Sequence, residues 1–253
     1  MVPLVLAAGA LAGALVMLGP TLLKVRFGAD EVVTTLLLNF VIILFVQMML
    51  EGVFKDPMGM GWPQSEPIVE EAVFTKLAPR MRLHAGLLMA LVAALVLHVI
   101  MARTTFGFRV RASGENSAAA NYAGIPVTAT LVKVGLISGA LAGLAGVGEV
   151  AGLKGYLTAD LSPGFGYAGI VVAMLAGLSP LGVVVSAIFI AGVFVGADFM
   201  SRALGVSSYL ADLIVAMALL CVLIGSFLAR YRIRRIVHRD TPVPGKEAAV
   251  GNS

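Results

Sequence analysis

The sequence predicts an all-α fold: a polytopic membrane bundle of about seven transmembrane segments, one of them short or partly re-entrant. Three observations predict it. The 253 residues are 59% hydrophobic and only 13% charged, against about 25% charged in soluble domains. Mean hydropathy is +0.98. The charge-free runs recur at lengths close to the roughly 20 apolar residues that cross a bilayer. Together these exclude a soluble globular enzyme, a disordered chain and a coiled coil. Twenty-nine glycines suit closely packed membrane helices. The single cysteine, Cys221, excludes an internal disulfide framework and a cysteine-based metal site. The net charge of +4 fits cytoplasmic loops better than a nucleic-acid surface, and no nucleic-acid partner is expected.

The elements follow in order. Residues 1–23 carry no charge and form the first span; they lack the basic start of a signal peptide, and their apolar run is too long for one. Val32–Leu50 is the second span and Leu83–Ala102 the third. The fourth covers Val134–Gly148, reaching back to Pro126 if Lys133 snorkels to the surface. Leu161–Ala197 has no charge and is too long for one crossing. Ser179-Pro180-Leu181-Gly182 is a turn signal in its middle, so it divides into a short helix near Gly166–Leu178 and a full one near Leu181–Phe199. Tyr209–Ala229 supplies the seventh. Small residues recur every four positions at Gly9/Gly13, Gly135/Gly139/Gly143, Gly169/Ala173/Gly177 and Gly192/Gly196, a spacing that lets helix backbones approach.

Arg230, Arg232, Arg234, Arg235 and Arg239 follow the last span directly, which places the C-terminus in the cytoplasm. The predicted inside loops and tail then hold eleven Lys and Arg, the outside loops six. Seven crossings put the N-terminus outside, and an odd number of further helices upstream would restore a cytoplasmic start. The chain divides into a membrane domain at 1–235, with a cytoplasmic loop at 103–125, and a polar cytoplasmic tail at 236–253.

Polar residues within spans are few. Thr35 and Asn39 lie one turn apart on one face of the second span; they either hydrogen-bond across helices or line a polar solute path. Glu149, Asp198 and Asp212 fall near span ends and read as interfacial. With no acidic residue at mid-span, coupling to protons or sodium has no ionisable site to use. His84, His98 and His238 have no metal-ligand spacing, and the chain has no phosphate-binding loop. No cofactor is expected in this chain; any ATP binds elsewhere.

The loop Arg103–Pro126 is the most informative stretch. A basic lead-in is followed by a two-turn helix for which Ser113 or Asn116 is the cap. Ala118, Ala119 and Ala120 favour helix, Gly124 suits the position after its end, and Pro126 suits the first turn of the next span. Such a helix is too short to be stable alone: it is either a plain surface connection or a docking element.

Gly114-Glu115-Asn116, Ala119-Ala120 and Tyr122-Ala123-Gly124-Ile125 resemble the cytoplasmic loop of ABC-importer permeases of the branched-chain amino acid, ribose and nucleoside group. The run Asp30–Leu36 with Asn39-Phe40, then Pro63-Gln64-Ser65, Gly164–Ile170 and Leu178–Gly182, is closer to the nucleoside and simple-sugar branch. Ser117 stands where the family's loop often has proline, and family members usually carry further membrane segments before the equivalent of Val2. The resemblance implies a multi-pass permease of the bacterial inner membrane that is not itself an enzyme. It would work with a second homologous permease, ABC ATP-binding subunits and an extracytoplasmic solute-binding protein. It implies nucleosides as solute, with ribose-type sugars the alternative; a secondary transporter or a non-transporting permease fragment are the other readings. Gly114, Glu115, Asn116, Ala119, Ala120, Tyr122 and Gly124 would then form the contact to the ATPase, with Thr35 and Asn39 on the translocation path.

Overall fold

The computed structural model describes residues 1–75, 84–162 and 164–204, with scattered positions between 209 and 225. The seventh predicted span lies largely outside the described residues, and the 236–253 tail lies wholly outside them. Eight α-helices occupy the described residues: α1 Val2–Phe27, α2 Glu31–Glu51, α3 Ala85–Arg103, α4 Thr105–Glu115, α5 Ser117–Tyr122, α6 Val127–Glu149, α7 Phe165–Leu175 and α8 Pro180–Leu204. Five of them (α1, α2, α3, α6 and α8) are long and apolar enough to cross a membrane. The only β-pairing among the described residues is two isolated bridges.

The four-residue glycine spacing decides the central pairing. Gly9 and Gly13 of α1 meet Gly139 and Gly143 of α6, with the helices antiparallel. A Cβ built on Gly13 would stand 2.9 Å from the Gly143 backbone nitrogen, and one on Gly143 would stand 2.8 Å from the Gly9 carbonyl carbon. One turn along, a Cβ on Gly135 would run into Thr21, whose buried hydroxyl donates to the Met17 carbonyl at 2.7 Å. The two backbones therefore touch, and dispersion contacts plus a satisfied hydroxyl hold them where lipid offers no hydrophobic driving force. Among the described residues the other small-residue faces make no such approach: Gly169, Gly192 and Gly196 would meet nothing there with a Cβ added.

α1 ends at Gly28, left-handed at φ 69°, whose N–H donates to the Lys24 carbonyl. Two residues later Asp30 caps α2, its carboxylate accepting from the Val32 N–H at 2.8 Å, and Lys24 pairs with Glu31 at 2.6 Å. α2 is apolar apart from its ends, Thr34, Thr35, Asn39 and Gln47, and buries only Leu50.

α7 and α8 form an antiparallel hairpin. Phe165 meets Phe194 edge-on at 6.0 Å, and Ala168, Val171, Val172 and Ile190 make its buried core. α7 has 11 residues, about 16 Å of helix, half of a roughly 30 Å hydrocarbon core. The predicted short segment is thus seen. The turn between them differs from expectation. It occupies Ala176–Ser179, with Gly177 and Leu178 both at φ 59°. Pro180 begins α8, and Leu181 and Gly182 are already helical. Proline's fixed φ suits that first position, where no N–H is needed.

At the end of the bundle that carries the α2–α3 and α6–α7 connections, two loops are tied together. Ser65 N–H donates to the Leu157 carbonyl and Leu157 N–H to the Ser65 hydroxyl, both at 2.9 Å. The Ile68 N–H donates to the Gly155 carbonyl, and the buried Phe74 donates its N–H to that of Ala151.

Candidate functional site

Two features stand out, at opposite ends of α3. The first is the loop 103–125. Its lead-in is a helix, a departure from expectation. Thr104 turns the chain: its hydroxyl donates to the Ile100 carbonyl at 2.6 Å and accepts from the Gly107 N–H at 3.2 Å, so it closes α3 and caps α4. Gly107 is buried, and a Cβ there would stand 2.6 Å from the Met101 Cα. Arg111 donates to the Met101 carbonyl. A Thr-x-x-Gly corner after a span was the signal that could have revealed α4; the basic side chains obscured it.

α5 follows at once. Of the two candidate caps, Asn116 is the one used: its side chain accepts from the Ala119 N–H at 3.0 Å. Ser113 instead lies within α4, with its hydroxyl buried and without a partner among the described residues. The end of α5 is a Schellman closure, with Ile125 N–H to the Ala120 carbonyl and Gly124 N–H to the Asn121 carbonyl, both 3.0 Å. It requires the left-handed backbone of Gly124, φ 81°, as the sequence predicts. Pro126 precedes α6 as its cap residue rather than lying in its first turn, and accepts from the Thr130 hydroxyl at 2.9 Å.

These contacts sort the predicted residues. Ala120 is buried, 4% exposed, and seats the helix. Glu115, Asn116, Ala119 and Gly124 are exposed, and Tyr122 is 98% exposed. Gly114 lies in the last helical residues of α4 with open space around it. A six-residue helix fixed at both ends thus presents Ala119 and an uncovered tyrosine outward.

Thr35 and Asn39 share a face of α2, as spaced. The Thr35 hydroxyl bonds back to the Glu31 and Val32 carbonyls at 2.7 and 3.0 Å. Asn39 is exposed. Neither makes an interhelical hydrogen bond among the described residues.

The second feature is a cavity of about 750 Å³ between α3, α6 and the α7–α8 turn. Its walls are Leu, Ala and Met side chains, and its polar groups are His84 and Glu149. His84 caps α3, accepting the Gly86 N–H on Nδ1 at 3.1 Å. Its ring sits 6.0 Å from that of Phe74 and lies where a Cβ on Gly86 or Gly152 would fall. Glu149, read from the sequence as interfacial, lines this cavity half-buried. Sequence reasoning passed over both because the cavity joins segments far apart in the chain.

The chain matches, over residues 1–223, the family described as branched-chain amino acid transport system / permease component. It is 32% identical over 92% of its length to the glucose ABC transporter permease protein TsgB13 of Haloferax volcanii, covering 64% of that protein. It is 34% identical over 87% of its length to the guanosine ABC transporter permease protein NupP of Bacillus subtilis, covering 64%. It is 32% identical over 80% of its length to the nucleoside ABC transporter permease protein NupB of Lactococcus lactis, covering 58%. The chain therefore spans about three fifths of the length of these curated relatives. No solved structure matches it.

Proposed function

The chain belongs to the branched-chain amino acid transport system permease family, and from that premise we propose that it is the permease subunit of an ATP-driven importer for nucleosides. The observation that carries the coupling role is α5: a short helix fixed by Asn116 and Gly124, seated by Ala120 and showing Ala119 and Tyr122 outward. A helix this short has little stability of its own, so its two caps and single buried alanine serve to present a rigid knob. We assign that knob to a groove on an ABC ATP-binding subunit, where nucleotide-driven closure would move it. α4, bound to the last turn of α3 through Gly107, would carry the movement into the spans.

A second homologous permease would complete the path, with the Thr35–Asn39 face of α2 turned to it and an extracytoplasmic binding protein delivering solute. The inner membrane, with α5 and the C-terminus on the cytoplasmic side, is the location this requires. Two of the three relatives above are named for nucleosides; the glucose permease favours a sugar as the second reading. Family membership and the absence of acidic mid-span residues both count against an ion-coupled carrier.

The test is co-purification from native membranes. Wild type should bring down an ABC ATPase, and Ala119→Arg should lose at least nine-tenths of it while inserting normally. Equal recovery with the variant would refute the docking role.

A further inference from the structure

Sugar and nucleoside differ in what they ask of an apolar site, and the half-open cavity between α3, α6 and the α7–α8 turn answers one of them. We propose that this cavity binds the base of a nucleoside, with Glu149 and His84 reading the polar edge of the ring. The inference rests on the importer reading for its solute class and narrows it.

The cavity's volume, about 750 Å³, lies within the range of ligand pockets, about 300–1,000 Å³. Met89, Leu97, Leu141 and Leu144 are among its walls, and they offer dispersion contact and no hydrogen bonds. A monosaccharide carries hydroxyls around its whole ring. Each one set against such walls gives up water without gaining a partner. A nucleobase has two apolar faces and keeps its hydrogen-bonding groups on its edge, so it demands polar partners along that edge alone.

The two polar side chains are of the complementary kinds. His84 Nδ1 accepts from the Gly86 N–H, which in the neutral imidazole leaves the proton on Nε2 as a donor. Glu149 has no hydrogen-bond or ion-pair partner among the described residues, and its carboxylate is an acceptor only. One donor and one carboxylate lining the same cavity suit a ring edge with a carbonyl next to N–H groups, the arrangement of guanine. His84 is also held in place: the chain leaves out a Cβ at both Gly86 and Gly152, where its ring lies. An acyl chain would fill the walls and make no use of either group.

The experiment is photolabelling with 8-azidoguanosine in membranes that contain the chain with its partner subunits, followed by peptide mapping. Adducts are expected in Ala85–Arg103 or within 141–149, suppressed by unlabelled guanosine and unaffected by glucose. Glu149→Gln should weaken labelling about 10- to 100-fold, the loss of a charged hydrogen bond. Ala93→Trp, which fills the cavity without touching either polar group, should abolish it, so that one variant's misfolding cannot decide the outcome. No adduct, an adduct confined to other segments, or competition by glucose equal to that by guanosine overturns the proposal. ATP-dependent guanosine uptake in the same vesicles is scored separately. Uptake without labelling of the cavity sinks the site and keeps the importer; labelling without ATP-dependent uptake keeps the site and sinks the importer.

Discussion

At the residue scale, the loop between α3 and α6 is governed by a few side chains whose types dictate their places. Asn116 accepts the Ala119 N–H, and removing such a cap costs about 1 kcal/mol. For a helix of six residues that is a large share of what holds it. Asn116→Ala should therefore lower coupled uptake several-fold while expression stays at wild-type level, whereas Asn116→Asp should keep most of it; transport assays in membrane vesicles would show the contrast. These residues were legible because capping chemistry is local: an Asn, three alanines and a Gly-x-Pro stop fix a helix whatever surrounds them. Glu149 and His84 were not, since their role depends on helices that meet only in three dimensions.

Elements are the scale at which the glycines act. The spans could be read from the sequence because lipid tolerates few charges in a helix, so their boundaries are written in charge-free runs. The four-residue glycine faces were legible as faces, but their partners were not: α1 seats on α6, and the faces of α7 and α8 remain open among the described residues. Gly139→Leu should force the α1 and α6 backbones apart, since a Cβ there would stand 2.6 Å from the Met17 Cβ. A melting temperature lowered by several degrees in detergent is the expected outcome; Gly192→Leu, which meets open space among the described residues, should leave it near wild type. α4 shows the opposite failure. Its basic residues read as a lead-in, and only the Thr104–Gly107 corner reveals that the chain continues as helix. Gly107→Val should push α4 off the Met101 carbonyl and reduce ATPase recovery without disturbing insertion.

For the whole molecule, the prediction concerns sidedness. Tyr122 and Met60 lie in the loops at opposite ends of α3 and are 98% and 96% exposed. With Cys221, the only cysteine, replaced by serine, Tyr122→Cys should react with an impermeant maleimide only after cells are opened, and Met60→Cys in intact cells. The reverse pattern would invert the proposed orientation and remove α5 from the reach of a cytoplasmic ATPase. The distribution of Lys and Arg is what proposes a side for each loop; which helices stand side by side was not legible, because an apolar helix looks the same on every face until its neighbour is known.

The α1–α6 contact has a mechanical consequence. Its recesses come every four residues, about 6 Å along a helix axis, so the two helices engage like a ruler and its notches. A slide of one or two residues would set bulky side chains where only hydrogen atoms fit. The pair thus keeps a fixed length, and a thicker or thinner bilayer has to be met by tilting the pair as one piece instead of by stretching it.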